Sequence, residues 1–184
     1  MEKLKTYIAL FRGINVGGKN SIKMAVLKEA LQNSLFIDAQ TYIQSGNLIF
    51  KSTQNNTKIL ASTLESLVQK TFGHTISILV LSKKSFKNRI SNNPFLPIEE
   101  AHFSKMYVSY VIDEISIDLI EKFAKKTLSD DKFHITKKTI YTLYENKYSA
   151  SKLNNNFYEK KLQCKATTRN WKTSLKLLEM VNNS

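Results

Sequence analysis

Short apolar stretches alternate with segments of helical periodicity along the first 82 residues, and this order limits the fold more than any other feature of the chain. Apolar, β-prone runs predict strands at KTYIALF, AQTYI, LIFKS and TISILVLS. Apolar side chains recur with helical spacing after Ser21, which we expect to cap the first helix, and again from Asn56 to Phe72. The resulting order, β-α-β-β-α-β, is that of a split βαβ or ferredoxin-like unit.

The second half of the chain partly repeats this order. KMYVSYVI predicts a strand, Ile117 to Leu128 a helix, KFHIT and TIYTLY a hairpin, and Ala150 to Leu162 another helix. The last predicted element, NWKTSLKLLEMV, is a helix with Trp171 on its apolar face, which departs from the repeat. We therefore expect an α+β fold in which two related ferredoxin-like halves pack together, with extra C-terminal helices.

Both prolines of the chain, Pro94 and Pro97, lie between these halves. We therefore predict a first half over residues 1–82, a connector over 83–104 and a second half over 105–184. At 184 residues, the chain is long enough to bury a core as two sub-domains or as one compact unit.

Composition narrows the choice of partner and compartment. The formal net charge is +13, from 28 basic and 15 acidic residues, and it is spread over both halves. Such a charge favours a polyanion such as nucleic acid as partner, although a general abundance of lysine would also produce it. Cys164 is the only cysteine, which favours a reducing, cytoplasmic location. No apolar run approaches the roughly 18–20 residues that a membrane span requires, and the three histidines lack metal-ligand spacing.

Three of the five glycines lie in one loop, RGINVGGKN, between the first strand and the first helix. Glycine permits positive φ and close approach of the backbone, so such loops can surround an anion with their N–H groups. Residues 13–19 also match the phosphate-binding pattern G-x-x-x-x-G-K. However, Asn20 follows where a Mg²⁺-binding Ser or Thr belongs, and the hairpin order does not suit a parallel nucleotide-binding sheet. A P-loop-like NTPase is therefore the least favoured alternative.

Two further segments carry polar groups that suit a binding site. QSGN, residues 44–47, predicts a turn between strands, with Gly46 at positive φ. In ATTRNW, residues 166–171, Thr167 or Thr168 is predicted to cap the last helix, which would place Arg169 beside free N–H groups. Arginine is rare in this lysine-rich chain, and its planar fork suits phosphate and carboxylate.

We predict that these three segments converge on one polar pocket that binds a small phosphate- or carboxylate-bearing ligand. The predicted ligand-binding residues are Arg12, Asn15, Gly17, Gly18, Lys19, Gln44, Ser45, Asn47, Lys152, Thr168, Arg169 and Asn170. No general base stands out, no metal site is indicated and the sequence does not identify a cofactor, so we predict binding rather than a defined reaction. A non-catalytic nucleic-acid-binding module is the alternative, and a purely structural role for the three segments also stays open.

Several stretches of this chain resemble a bacterial family known as domain of unknown function 1697. They are YIALFRGINVGGKNSIKM, TYIQSGNLIF, NNPF, SKL, EKKL and ATTRNWKTSLKLLE. The resemblance implies an α+β fold of two related halves. It implies no activity, substrate or catalytic residue.

Overall fold

The computed structural model describes residues 3–18, 20–32, 34–124 and 130–184, and the chain divides into two compact units. The first unit comprises Met1–Asn88 and Leu177–Ser184, and the second comprises Arg89–Lys176. No helix among the described residues is long and apolar enough to cross a membrane.

The first unit contains one four-stranded sheet. Its strands are β1 (Lys5–Phe11), β2 (Ile37–Thr41), β3 (Asn47–Ser52) and β4 (Ile78–Ser82). Its helices are α1 (Met24–Ala30), α2 (Thr57–Phe72) and the first part of α3 (Lys83–Ser91). The strand order is β2-β3-β1-β4, and every pair is antiparallel. This is the topology predicted from the β-α-β-β-α-β order.

Helix α2 shows how local sequence signals define this unit. The side chain of Asn56 accepts hydrogen bonds from the backbone N–H groups of Lys58 and Ile59, and Gly73 ends the helix at a φ of 72°. The apolar face of α2 is buried in the same core cluster as Tyr7, Ala9 and Phe11 of β1. Ile8 and Leu10, on the other face of β1, are also fully buried, so the central strand lies inside the protein on both sides.

The predicted cap of the first helix is wrong. Lys23 precedes α1 as its N-cap and makes no side-chain cap bond. The backbone N–H of Ile22 donates to the side chain of Asn15 instead, which ties residues 21–22 to the preceding loop rather than to the helix. The helix therefore begins three residues after Ser21.

The second unit has the same order of elements. Its strands are β5 (Met106–Val111), β6 (Lys132–Ile135), β7 (Thr139–Leu143) and β8 (Ala166–Asn170). Its helices are α4 (Ile117–Ala124), α5 (Asn155–Leu162) and the first part of α6 (Trp171–Asn183). The sheet order β6-β7-β5-β8 matches that of the first unit, position for position. Residues 125–128 of the predicted helix lie outside the described residues.

Two predictions for this unit need correction. Ala166–Asn170 is a strand paired with β5 and not a helix start, so the repeat is complete and one helix follows it. Helix α5 begins at Asn155 because the side chain of Asn154 caps it, after a short 3-10 turn at Tyr148–Ala150. The predicted α+β fold with two related halves is otherwise confirmed.

Candidate functional site

The glycine loop, defined here as Arg12–Asn20, follows β1 and contains an unusual number of left-handed residues. Positive φ angles of 48–73° occur at Gly13, Asn15, Gly17, Gly18 and Asn20. Glycine takes this conformation without steric cost, and asparagine takes it more readily than other residues do. Alternation between left-handed and right-handed residues turns successive backbone N–H groups toward one concavity, which is how protein loops bind anions.

Two asparagine side chains hold the loop in this shape. Asn15 Oδ1 accepts from the backbone N–H of Ile22 at 2.8 Å, while its Nδ2 donates to the carbonyl oxygens of Ile22 at 3.1 Å and Gln44 at 2.8 Å. Asn20 Nδ2 donates to the carbonyl of Gly13 at 3.0 Å. Both N–H groups of the Asn15 amide are thus used within the protein, which gives it a role in shaping the site.

The QSGN turn, residues 44–47, is attached to the same end of β1. The backbone N–H of Phe11 donates to the carbonyl of Gly46 at 2.9 Å. The side chain of Asn47 is buried and donates to the carbonyl of Tyr42 and to Ser45 Oγ, both at 3.0 Å. Two of the three segments predicted to form the site therefore lie together in the first unit.

Solvent reaches several residues of these two segments. Gly13, Gly17, Gly18 and Gln44 are exposed, whereas Arg12 and Ser45 are half-buried. Lys19, also predicted to bind the ligand, lies outside the described residues. A molecule approaching these exposed residues meets the backbone of Gly17 and Gly18 and the amide side chain of Gln44.

Two apolar residues beside this surface were not predicted as site residues. Val16 is 66% exposed and Ile43 is 49% exposed. Ile43 also has a φ of 51°, which is rare for a β-branched residue. The sequence does not mark either residue as part of a site. Ile43 lies within AQTYI, which predicts a strand, whereas β2 ends at Thr41 and leaves Ile43 outside it.

Arg169 has a different environment from the one predicted. It is buried within β8 opposite Val108, and its guanidinium donates to Thr167 Oγ1 at 2.7 Å and to the carbonyl of Thr168 at 2.9 Å. Burial lowers the pKa of Arg169 to about 10, and the nearby Tyr110 partly opposes that shift. Arg169 is therefore part of the folded interior of the second unit, and the predicted helix start around it is wrong.

The neighbours of Arg169 also use their polar groups within the second unit. Thr168 Oγ1 donates to Asn155 Oδ1 at 2.8 Å and lies 2.7 Å from Ser109 Oγ. Asn170 Oδ1 accepts from the backbone N–H of Thr173 at 2.8 Å, so Asn170, and not Thr167 or Thr168, caps the last helix.

Lys152, the remaining predicted residue, lies in an acidic part of the second unit. It is exposed and lines a cavity of about 300 Å³ together with Asp130, Asp131 and Glu145. Asp131 accepts hydrogen bonds from the backbone of Glu145 and from Ser151. These carboxylates make this cavity a poor place for an anion. That Lys152, Thr168, Arg169 and Asn170 join the glycine loop in one pocket stays a prediction.

The geometry around the glycine loop differs from that of a P-loop. Both neighbours of β1 in the sheet run antiparallel to it, and α1 starts six residues after Gly18. A P-loop instead joins a strand of a parallel sheet directly to a helix. Within the described ranges, no three His, Cys, Asp or Glu side chains are grouped so that they could hold a metal ion.

Fold and site together define a protein with two ferredoxin-like units and a structured glycine loop beside the central strand of the first. The chain belongs to the family described as Protein of unknown function (DUF1697), whose family model matches residues 4–141. The solved structures include a similar chain, a conserved bacterial protein, SP0830, from Streptococcus pneumoniae. It is 26% identical, with a TM-score of 0.75, and the match covers 97% of this chain and 99% of the other. No curated protein matches the chain.

Proposed function

We propose that this protein binds a small ligand bearing a phosphate or carboxylate group at the glycine loop and the QSGN turn of its first unit. The observation that carries the proposal is the set of five left-handed residues in the glycine loop, which is held in place by Asn15 and exposed at Gly17 and Gly18. An exposed loop fixed in this conformation offers backbone N–H groups to an anion at little further entropic cost.

Arg12 supports an anionic ligand over a neutral one. It follows β1 directly, and its backbone N–H donates to the carbonyl of Ser77 at 3.0 Å, which fixes where its side chain begins. A guanidinium can bind two oxygens of a phosphate or carboxylate in parallel. Gln44, whose backbone carbonyl accepts from Asn15, has an exposed amide side chain that could orient the ligand. The proposal needs no residue of the second unit.

The experiment is a calorimetric titration of the full chain with methyl phosphate and acetate, followed by a thermal-shift screen of phosphorylated and carboxylated metabolites. Binding to the native state raises the melting temperature with ligand concentration. Arg12→Ala should weaken binding at least tenfold, and Arg12→Lys should restore only part of it because lysine lacks the planar fork. Lys58→Ala, which removes one exposed charge on α2, is the matched control and should bind normally.

Two outcomes of this experiment would overturn the proposal. If the parent protein binds neither class of anion, or if Arg12→Ala, still folded, binds the identified ligand as well as the parent does, the glycine loop is not an anion site.

The net charge of +13 favours one alternative, a nucleic-acid-binding module. Binding through diffuse lysines should weaken steeply with added salt, because counterions are released, and should survive the Arg12→Ala substitution. A gel-shift titration with single-stranded and duplex probes distinguishes nucleic-acid binding from small-anion binding. We choose salt concentrations of about 50 and 200 mM to bracket the effect of counterion release. Tight, salt-sensitive retardation that Arg12→Ala does not change would favour nucleic acid over the small anion.

A cytoplasmic location is part of the same proposal. Cys164 is the only cysteine of the chain, and it is buried beneath α5 and β8 with its pKa raised to about 11 by burial and by Glu159 and Asp113. A protonated, buried thiol needs no oxidising compartment.

A further inference from the structure

We infer that the ligand of this site carries an apolar group next to its anionic group. The inference rests on the proposed function and adds the chemical class of the ligand. It is carried by Val16 and Ile43, two exposed aliphatic residues that flank the polar surface described above.

The hydrogen bond between Asn15 Nδ2 and the carbonyl of Gln44 brings these two residues to one site. Val16 follows Asn15 in the glycine loop, and Ile43 precedes Gln44 at the start of the QSGN turn. With exposed fractions of 66% and 49%, neither side chain contributes much to the core of the first unit. The polar backbone of Gly17 and Gly18 therefore has an aliphatic side chain on each of the two segments that form the site.

Ile43 carries a conformational cost as well as an exposed surface. A β-branched residue at a φ of 51° costs about 1–3 kcal/mol in folding, and asparagine or glycine would avoid most of it. Strained residues of this kind cluster at ligand-binding sites, where their conformation serves contact with the ligand. Burial of Ile43 offsets little of this conformational cost. A contact between Ile43 and a bound apolar group would explain why an isoleucine occupies the position.

The combination selects a class of ligands. Small-molecule sites are mostly apolar, with a few polar groups that fix orientation. Here the glycine backbone and Arg12 would bind the phosphate or carboxylate, and Val16 and Ile43 would cover an aryl or alkyl group attached to it. A bare phosphate ion would leave both aliphatic side chains in water.

The test compares ligands that differ only in their apolar part. Full-length protein is titrated calorimetrically with methyl phosphate and phenyl phosphate, and with acetate and benzoate. The larger member of the pair that binds should do so at least tenfold more tightly, because it removes more apolar surface from water. Val16→Ser and Ile43→Asn should each reduce this preference severalfold, because each should weaken binding of the larger ligand much more than binding of the smaller one.

Ile43→Asn keeps the test valid because it should fold better than the parent. Asparagine tolerates the left-handed conformation, so we expect a higher melting temperature together with a weaker preference for the larger ligand. Ile59→Asn, at a similarly exposed isoleucine on α2, is the matched control and should keep the full preference. Equal affinity for both members of the pair would overturn this inference and leave the anion site intact. Failure of the parent to bind any of the four ligands would overturn the anion site itself and, with it, this inference.

Discussion

At the level of single residues, Gly46 is the glycine near the site that can least accept a side chain. Its φ is 74°, and a Cβ atom built there would lie 2.6 Å from both Ile14 Cδ1 and Phe11 Cβ. Phe11 Cβ is next to the backbone of β1 and cannot rotate away. We therefore expect Gly46→Ala to lower the free energy of unfolding by about 2–4 kcal/mol, from strain and steric overlap together.

Glycines elsewhere provide the comparison for this prediction. Gly17 and Gly73 have similar φ angles, but nothing lies within 4 Å of their Cβ positions. Their alanine variants should lose only about 1 kcal/mol, the cost of the left-handed conformation. Urea unfolding of the three variants measures the difference. Equal losses in all three would mean that the QSGN turn moves to make room for a methyl group.

Asn15 is the residue that joins the two segments of the site. Asn15→Ala removes the hydrogen bonds to Ile22 and Gln44 and places alanine at a φ of 53°, so we expect a loss of about 2–3 kcal/mol. Asn15→Gly loses the same bonds but accepts the backbone conformation, and should recover about 1 kcal/mol of that loss. Urea unfolding checks both values. If Gly proves no better than Ala, the hydrogen bonds alone account for the effect of Asn15.

The sequence predicted only part of this residue-scale arrangement. The crowding of glycines after β1 correctly indicated a loop with special backbone geometry, and QSGN indicated a turn with Gly46 at positive φ. The left-handed conformations of Asn15 and Asn20 and the use of the Asn15 side chain within the protein were not predicted. One bond of the Asn15 side chain goes to Gln44, 29 positions further along the chain, and spacing within one loop does not reveal such a contact.

At the scale of elements, the clearest difference between prediction and structure is β8. The sequence predicts that ATTRN leads into a helix, because a strong helical pattern follows it without a turn. The structure has a strand that leads directly into α6, and Asn170 is both the last residue of β8 and the cap of that helix. Thr167 and Arg169, two positions apart on this strand, project from the same face of the sheet and are both buried. A short polar strand of this kind is defined by its partner strand, which local propensity does not register.

The double role of Asn170 gives a prediction for α6. Asn170→Ala removes the acceptor for the backbone N–H of Thr173 and should cost about 1 kcal/mol of stability. Asn170→Asp keeps an acceptor at the same place and should cost much less. Lys172→Ala, at the exposed neighbouring position, is the control. Chemical denaturation followed by circular dichroism measures all three. A loss with aspartate equal to that with alanine would show that the amide acts in some way other than capping.

At the scale of the whole molecule, both units show the same order of elements and the same strand order, although their sequences differ. The strand order of the first unit was predicted because β1, β3 and β4 are largely apolar and α2 carries both caps, but α3 lies within the segment predicted as a connector. The second was predicted up to α5, after which the polar β8 ended the visible repeat. The net charge did not help to predict the fold, because 13 excess positive charges are compatible with many different structures.

Buried thiol and phenol groups also make the stability of the molecule depend on pH. Burial raises the pKa of Cys164 to about 11 and raises the pKa values of Tyr110, Tyr144 and Tyr158 well above their ordinary range. Each of these groups is an acid whose pKa is higher in the folded state than in the unfolded one. Their contribution to stability is therefore complete below about pH 8.5, the ordinary pKa of a cysteine, and is lost as the pH rises toward the folded values.

We accordingly expect the free energy of unfolding to fall by about 1–2 kcal/mol between pH 7 and pH 9.5, with Cys164 responsible for more than half of the loss. Urea titrations at both pH values test this, in about 0.3 M salt so that repulsion among the lysines is screened and does not change with pH. In Cys164→Ala, the difference between the two pH values should shrink to less than half that of the parent, whatever the variant's stability at pH 7. Two results would contradict this expectation: a parent protein that is equally stable at both pH values, or a Cys164→Ala variant whose pH dependence is undiminished. Either would mean that the thiol already ionises in the folded state at pH 9.5. Water would then reach the side chain of Cys164 between α5 and β8.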